Sequence, residues 1–235
     1  MGRFLKRLKN SKTTSLILII NTLVFTLILI NGGFTRENLV SFGASNSDLI
    51  IRGQYYRMLS QLFVHLSWVH FIFNMVVIYI MVPSLENKFG ARIVGFTFLL
   101  AGLVDELISF QVLEKWDASG GSSTGYFGLY GLAIGFLFFY KDEGFRKWAR
   151  QFILPAVLIL LASEVYFRLK RGSPHFLLAY SKSHLVGFFT GLVLSGVFPA
   201  RGYDLNKKAR FIFTSLFIGL LVILVLTFYF KDIVF

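Results

Sequence analysis

The sequence predicts an all-α membrane protein, a polytopic helical bundle of seven spans, from three observations. Apolar residues fill 55% of the 235 positions and charged residues only 15%, against about 25% charged in a soluble domain. Mean hydropathy is +0.67. The apolar residues also gather into separate runs, and a hydrocarbon core of roughly 30 Å needs about 20 residues of helix per crossing. A soluble bundle is excluded, because too little polar surface remains to cover so many apolar segments.

Taken in order, the spans are 14–33, 62–83, 91–113, 123–140, 151–167, 183–199 and 211–230. The first follows a basic lead-in, residues 1–13, that reads as a retained cytoplasmic tail, since no small-residue cleavage site follows the apolar run. The longest polar connection runs from Thr35 to Leu59 and mixes in Leu39, Val40, Leu49, Ile50 and Ile51, which predicts partial burial at the membrane interface. The second, fourth and sixth spans carry the polar groups discussed below. The third holds Asp105 and Glu106 in its outer half, and the fifth ends with Glu164 and Arg168 four residues apart, a local pair. Residues 14–200 form the predicted six-helix core, and 201–235 supply an inner loop and one extra helix.

The net charge of +12 raises the question of a nucleic-acid partner. The charges are instead dispersed over short connections, where anionic lipid and topology select them. With the amino terminus inside, 15 of the 24 Lys and Arg lie on the inner side. Arg168, Lys170, Arg171 and Lys182 form the outer cluster that weakens this bias. The expected location is a cell membrane, bacterial and cytoplasmic, with the bilayer as partner and no nucleic acid. There is no Cys, so a disulfide framework, a thiolate nucleophile and a Cys-ligated zinc are all excluded. No cofactor or metal is expected, since neither His-Glu-x-x-His nor another compact ligand motif occurs. His175 falls on an outer loop with no evident partner.

Polar residues inside spans are penalised by hydrocarbon, so they mark function or pairing. His70 and Asn74, four residues apart, share one helix face, with His65 just before them. Ser123 opens the fourth span and His184 the sixth. Even-numbered spans all start outside, so these groups come from three helices at comparable depth. Gly187 and Gly191 share a face with His184, and Ser123, Phe127, Gly131 and Gly135 recur every four residues on the fourth span. Small residues let membrane helices approach closely, which would set His184 beside Ser123, with Phe127 packed under the imidazole.

A serine hydroxyl needs a base within hydrogen-bond reach, and His184 has the suitable chemistry. An oxyanion needs preorganised donors. The first N–H groups of a helix beginning at Ser123 are unpaired and partly positive, and Asn74 and His70 offer side-chain donors. Separately, each feature has a plainer meaning. Gly-Ser-Ser-Thr-Gly is also a loop with a helix cap, GxxxG is also packing, Asn is also interhelical glue, and His65 is most simply structural. Their conjunction argues for acyl transfer.

Over residues 53–195 the chain resembles the rhomboid family of intramembrane serine proteases. Tyr56-Arg57 is similar to that family's Trp-Arg element, and His65 through Asn74 to its His-x4-His-x3-Asn stretch. Glu86 with Gly90 is similar to its Glu-bearing turn. Gly121-Ser-Ser123 matches its Gly-x-Ser segment, and His184, Gly187 and Gly191 match its histidine segment. The resemblance implies a Ser–His dyad, with Ser123 as nucleophile and His184 as base and then acid. Asn74, His70 and the Ser123 N–H would form the oxyanion hole, supported by Gly121 and Phe127. Arg57, His65, Glu86, Gly187 and Gly191 would be structural, Glu86 pairing with basic or backbone groups. It further implies single-span membrane proteins as substrates, and a seventh helix is known in the family. Thr124 stands where the family has glycine, Tyr56 where it has Trp, and Pro83 where small residues are common. The family works as a dyad, so Asp105 is assigned a structural or cavity-facing role. The rival reading is a catalytically silent relative that binds membrane helices. A small transporter would require paired halves with broken helices, and no matching half to Asp105 and Glu106 exists.

Overall fold

The computed structural model describes residues 10–112, 116–139, 143–151, 174–204 and 207–234, and these are helical almost throughout. Long helices are α1 (Lys12–Ile30), α5 (Trp68–Phe89), α6 (Ala91–Val112), α7 (Ser123–Phe139), α8 (Pro174–Ser195) and α9 (Lys207–Val234). Between α1 and α5 the chain makes three short helices, α2 (Arg36–Ser41), α3 (Ser47–Ile51) and α4 (Arg57–Ser60), then a 3₁₀ turn at Gln61–Phe63. Residues 143–151 are helical as well. Among the described residues no strand forms, only an isolated antiparallel bridge between Ser45 and Ser119.

Among the described residues four helices are long and apolar enough to cross a membrane: Lys12–Ile30, Trp68–Phe89, Ala91–Gln111 and Arg210–Tyr229, with Ser123–Phe138 a shorter apolar helix. Large apolar side chains such as Leu16, Ile19, Val69, Phe138 and Phe211 are exposed. Such a surface suits contact with lipid. The core lies along α5, α6 and α7, where Ile78, Leu85, Phe98, Leu129, Leu132 and Phe136 are fully enclosed. The chain is a multi-pass membrane protein.

Side-chain ties identify two ends of the bundle. At one end Glu86 bonds to Thr13 and Thr14, and the Arg201 N–H donates to the Lys88 carbonyl over 2.9 Å. Lys88 lies over the rings of Phe136, Phe145 and Tyr203, at 5.2, 5.9 and 4.8 Å. At the other end the Ser45–Ser119 bridge, the start of α5 and the start of α7 come together. α7 and α8 form the closest helix pair, and α6 packs on both.

Two expected boundaries are corrected. The second span starts at Trp68 and runs to Phe89, not over 62–83, because residues 57–63 close into α4 and the 3₁₀ turn and Ser67 caps the helix by accepting from the His70 N–H. Asp, Asn, Ser and Thr caps take up a donor that the helix cannot satisfy internally. The sixth span is the helix Pro174–Ser195, so Ser183 and His184 lie more than two turns inside it, and His175 belongs to its first turn instead of a loop. Proline suits a first helical position because its missing N–H would be unpaired there anyway. The fifth span, with Glu164 and Arg168, lies outside the described residues.

Candidate active site

The segment leading into α7 is locked by its neighbours. The Gly121 N–H donates to the Gln61 carbonyl at 2.9 Å. Gly120 lies so close to the 3₁₀ turn that a Cβ there would come within 2.7 Å of the Val64 carbonyl oxygen. Gly121 adopts φ +137°, and a Cβ on it would sit 2.5 Å from Cε1 of His70. Backbone sterics and the imidazole therefore both require glycine at this position. The single hydroxyl hydrogen of Ser122 is shared between the Leu62 carbonyl at 2.7 Å and Oδ1 of Asn21 at 3.0 Å. Of the two adjacent serines, Ser122 is committed to holding the loop against α1. Ser123 is the first residue of α7, where the helix presents unpaired N–H groups, and it is buried.

α8 lies against α7 without intervening side chains. A Cβ on Gly187 would strike the Thr124 carbonyl, one on Gly191 the Gly128 carbonyl, and one on Gly131 the Phe188 carbonyl. Gly135 similarly faces Ser195. This is the close approach that GxxxG spacing permits, in the register read from the sequence. The Phe127 ring stacks on the His184 imidazole with centroids 4.3 Å apart and planes 15° from parallel. Phe127 is one turn along from Ser123, and Gly187, against Thr124, is about one turn along from His184. Both reactive residue types thus stand at the same end of one glycine-lined seam.

α5 supplies the third wall. His70 sits over Gly121, and its Nε2 is buried with no hydrogen-bond partner among the described residues. Asn74 donates from Nδ2 to the His70 carbonyl at 2.7 Å, which occupies one of its two amide hydrogens, and its Oδ1 is buried and unpartnered. His65 lies outside α5, fully buried, with its ring edge-on to His70 at 5.1 Å and to Phe71 at 5.5 Å.

Arg57 and Glu86 stand away from this cluster. Arg57 is buried under the connection between α1 and α4, donating to the Val40 and Ala44 carbonyls at 2.6 and 2.9 Å and to Gln54 at 2.8 Å. Glu86 accepts from the backbone N–H groups of Thr13 and Thr14 and from the Thr14 hydroxyl, each at 2.9 Å. It therefore takes backbone partners, one of the two kinds expected, and its carboxylate meets the positive start of α1.

Sequence reasoning missed Ser122 and Asn21. Asn21 lies in the first span, and its polarity among apolar neighbours was the available signal. Asp105 and Glu106 are both buried. The Asp105 Oδ1 accepts from the Ser109 hydroxyl at 3.4 Å, one turn along the same helix, while Glu106 accepts from Ser45 at 2.8 Å.

A membrane-embedded helical bundle with serine, histidine and unpaired polar atoms at one end defines the class, and comparison with known proteins supplies the family. A rhomboid domain model matches residues 52–201, so the chain belongs to the rhomboid family. It is 28% identical over 199 residues to rhomboid protease GluP of Bacillus subtilis, covering 84% of this chain and 36% of that one. Over 186 residues it is 25% identical to rhomboid-like protease 3 of Toxoplasma gondii, covering 76% and 65%. Over 183 residues it is 29% identical to inactive rhomboid protein 1 of Rattus norvegicus, covering 75% and 20%. The chain spans between about a fifth and two thirds of the length of these relatives. Named relatives thus include both proteases and an inactive protein.

Proposed function

We propose that this chain is an intramembrane serine endopeptidase that cuts membrane-anchored proteins near one face of the bilayer, with Ser123 as nucleophile and His184 as base. The single observation that carries this reading is the Phe127–His184 stack on the glycine seam. It holds an imidazole at the end of α7 where Ser123 begins, while Ser122 is committed elsewhere.

In the reaction, the Ser123 Oγ adds to the scissile carbonyl and its proton passes to His184. The developing oxyanion accepts from the Ser123 N–H and from side-chain donors of His70 and Asn74, which are oriented before substrate arrives. His184 then protonates the leaving amine, and water repeats the sequence to release the acyl group. The amino terminus and the inner side are proposed to be cytoplasmic, from the Lys and Arg bias. The substrates are proposed to be single-span membrane proteins.

The test is cleavage of a single-span model protein by the purified full chain in detergent. Ser123→Ala and His184→Ala are each expected to abolish the cut, and a fluorophosphonate is expected to label the wild type but neither variant. Retained cleavage by Ser123→Ala overturns the assignment. Similarity to inactive rhomboid protein 1 favours a second reading, a silent protein that binds membrane helices. That reading predicts binding of the same model protein with no fluorophosphonate labelling.

A further inference from the structure

α8 turns one face to α7 through Gly187 and Gly191 and another to a groove that holds a cavity of about 310 Å³. Val104 and Ile108 of α6 form its floor, Phe189 and Val193 of α8 one wall, and Phe217 and Leu220 of α9 the other. Beyond Val193 the groove is closed, because α8 and α9 converge where a Cβ on Gly196 would come within 2.4 Å of the Phe213 ring. At the opposite end, about 16 Å back along α8, stands Lys182.

The lining is apolar but for two residues. Thr190 gives its hydroxyl hydrogen to the Val186 carbonyl at 2.8 Å, one turn back on its own helix, so it offers the cavity no free donor. Lys182 is half-buried and pairs with no carboxylate among the described residues. It lies eight residues inside α8, about 12 Å from the start of the helix. An ammonium so placed in a spanning segment is costly unless it meets an anion or its stem reaches the interface. A cation at the mouth of an apolar groove that is closed at the far end is complementary to an amphiphile, with a negative head and an inserted tail. Size decides the kind of tail. A helix is about 10 Å across with its side chains, so a segment as long as the groove would fill on the order of 1,200 Å³. The cavity of about 310 Å³ suits a single hydrocarbon chain.

We propose that the groove between α6, α8 and α9 binds one anionic phospholipid, with its phosphate on Lys182 and an acyl chain lying between Phe189 and Val193 on one side and Phe217 and Leu220 on the other. The site uses a different face of α8 from the glycine seam, so it does not depend on Ser123 and His184 reacting. The experiment is native mass spectrometry of the purified full chain in detergent. The chain is titrated with dioleoylphosphatidylglycerol, or with dioleoylphosphatidylcholine, which has the same tails and no net charge.

One phosphatidylglycerol is expected to stay bound per chain, at roughly fivefold lower concentration than phosphatidylcholine requires, the share of one lysine beside anionic lipid. Lys182→Gln is expected to remove that preference and Lys182→Arg to keep it. Leu220→Trp, on the exposed wall, is expected to weaken retention of both lipids at least about fivefold by crowding the groove. Glycerophosphoglycerol, the same headgroup without tails, is expected not to compete. Equal retention of the two lipids by the wild type overturns the proposal, and so does phosphatidylglycerol binding that is unchanged in Lys182→Gln or in Leu220→Trp. Displacement by glycerophosphoglycerol overturns it as well, leaving a site for the headgroup alone. A photoreactive benzoylphenylalanine in place of Leu220 is expected to label lipid. Labelling of a single-span model protein instead assigns the groove to a membrane helix and rejects the lipid. The headgroup comparison on the wild type decides the matter even if a variant fails to fold.

Discussion

At the carboxyl-terminal end of α5, Glu86 receives three hydrogen bonds, all at 2.9 Å, from the first turn of α1. Three to four turns away, toward the amino-terminal end of the same helix, His70 keeps Nε2 bare and Asn74 keeps Oδ1 bare, both buried. Buried polar atoms are paired in the great majority of cases, so the contrast separates two uses of polarity within one element. The Glu86 end is complete as it stands and belongs to the fold. The His70 end leaves a ring nitrogen and an amide oxygen with no partner among the described residues, which is where the proposed site lies. The same division runs through the adjacent serines, with Ser122 saturated by Asn21 and Leu62 and Ser123 at the open start of a helix.

The comparison can be broken most forcefully at the seam that joins the two regions. Gly191→Leu would drive a side chain into the Gly128 carbonyl, and overpacking of this kind costs at least about 1–3 kcal/mol. Loss of measurable cleavage and a lowered midpoint of thermal unfolding are both expected, and normal cleavage would mean the backbones are not in contact. Next in size, His70→Ala and Asn74→Ala are each expected to slow cleavage per labelled site by about 100-fold, the range for an oxyanion donor. Thermal stability is expected to fall by about 1 kcal/mol, since Asn74 gives up only its bond to the His70 carbonyl within α5.

Glu86→Ala should show the opposite profile. It orphans three donors on α1, and a loss of about 2 kcal/mol is expected, read as a lower unfolding midpoint, with the rate per labelled site within about threefold of wild type. A large rate loss at unchanged stability would erase the distinction between the two ends. The smallest effect is expected on α9, where Leu216 is 64% exposed. Leu216→Ala should leave both stability and cleavage unchanged within about 0.5 kcal/mol, since its side chain faces lipid.

Much of this was legible because membrane sequences report their solvent directly. Apolar runs marked α1, α5, α6, α7 and α9, and four-residue spacing placed Phe127, Gly131 and Gly135 on the face that meets α8. The start of α5 was less legible, because Leu62, Phe63 and Val64 are apolar enough to extend a span, yet Leu62 and Phe63 turn away in a 3₁₀ segment. The start of α8 was misread for the converse reason: Pro174 to Lys182 is too polar to read as a span, although it is helical.

By itself, the sequence determined the solvent, the helices, the presence of serine, histidine and asparagine at one end, and the small residues that allow two backbones to touch. Those properties are local or periodic, and burial in hydrocarbon makes every exception conspicuous. Only the tertiary structure decided which serine is tied down, which polar atoms stay unpaired, and that Glu86 joins α5 to the start of α1. These depend on partners as much as 101 residues distant, and a hydrogen bond over that separation exists only once packing has brought its donor and acceptor together.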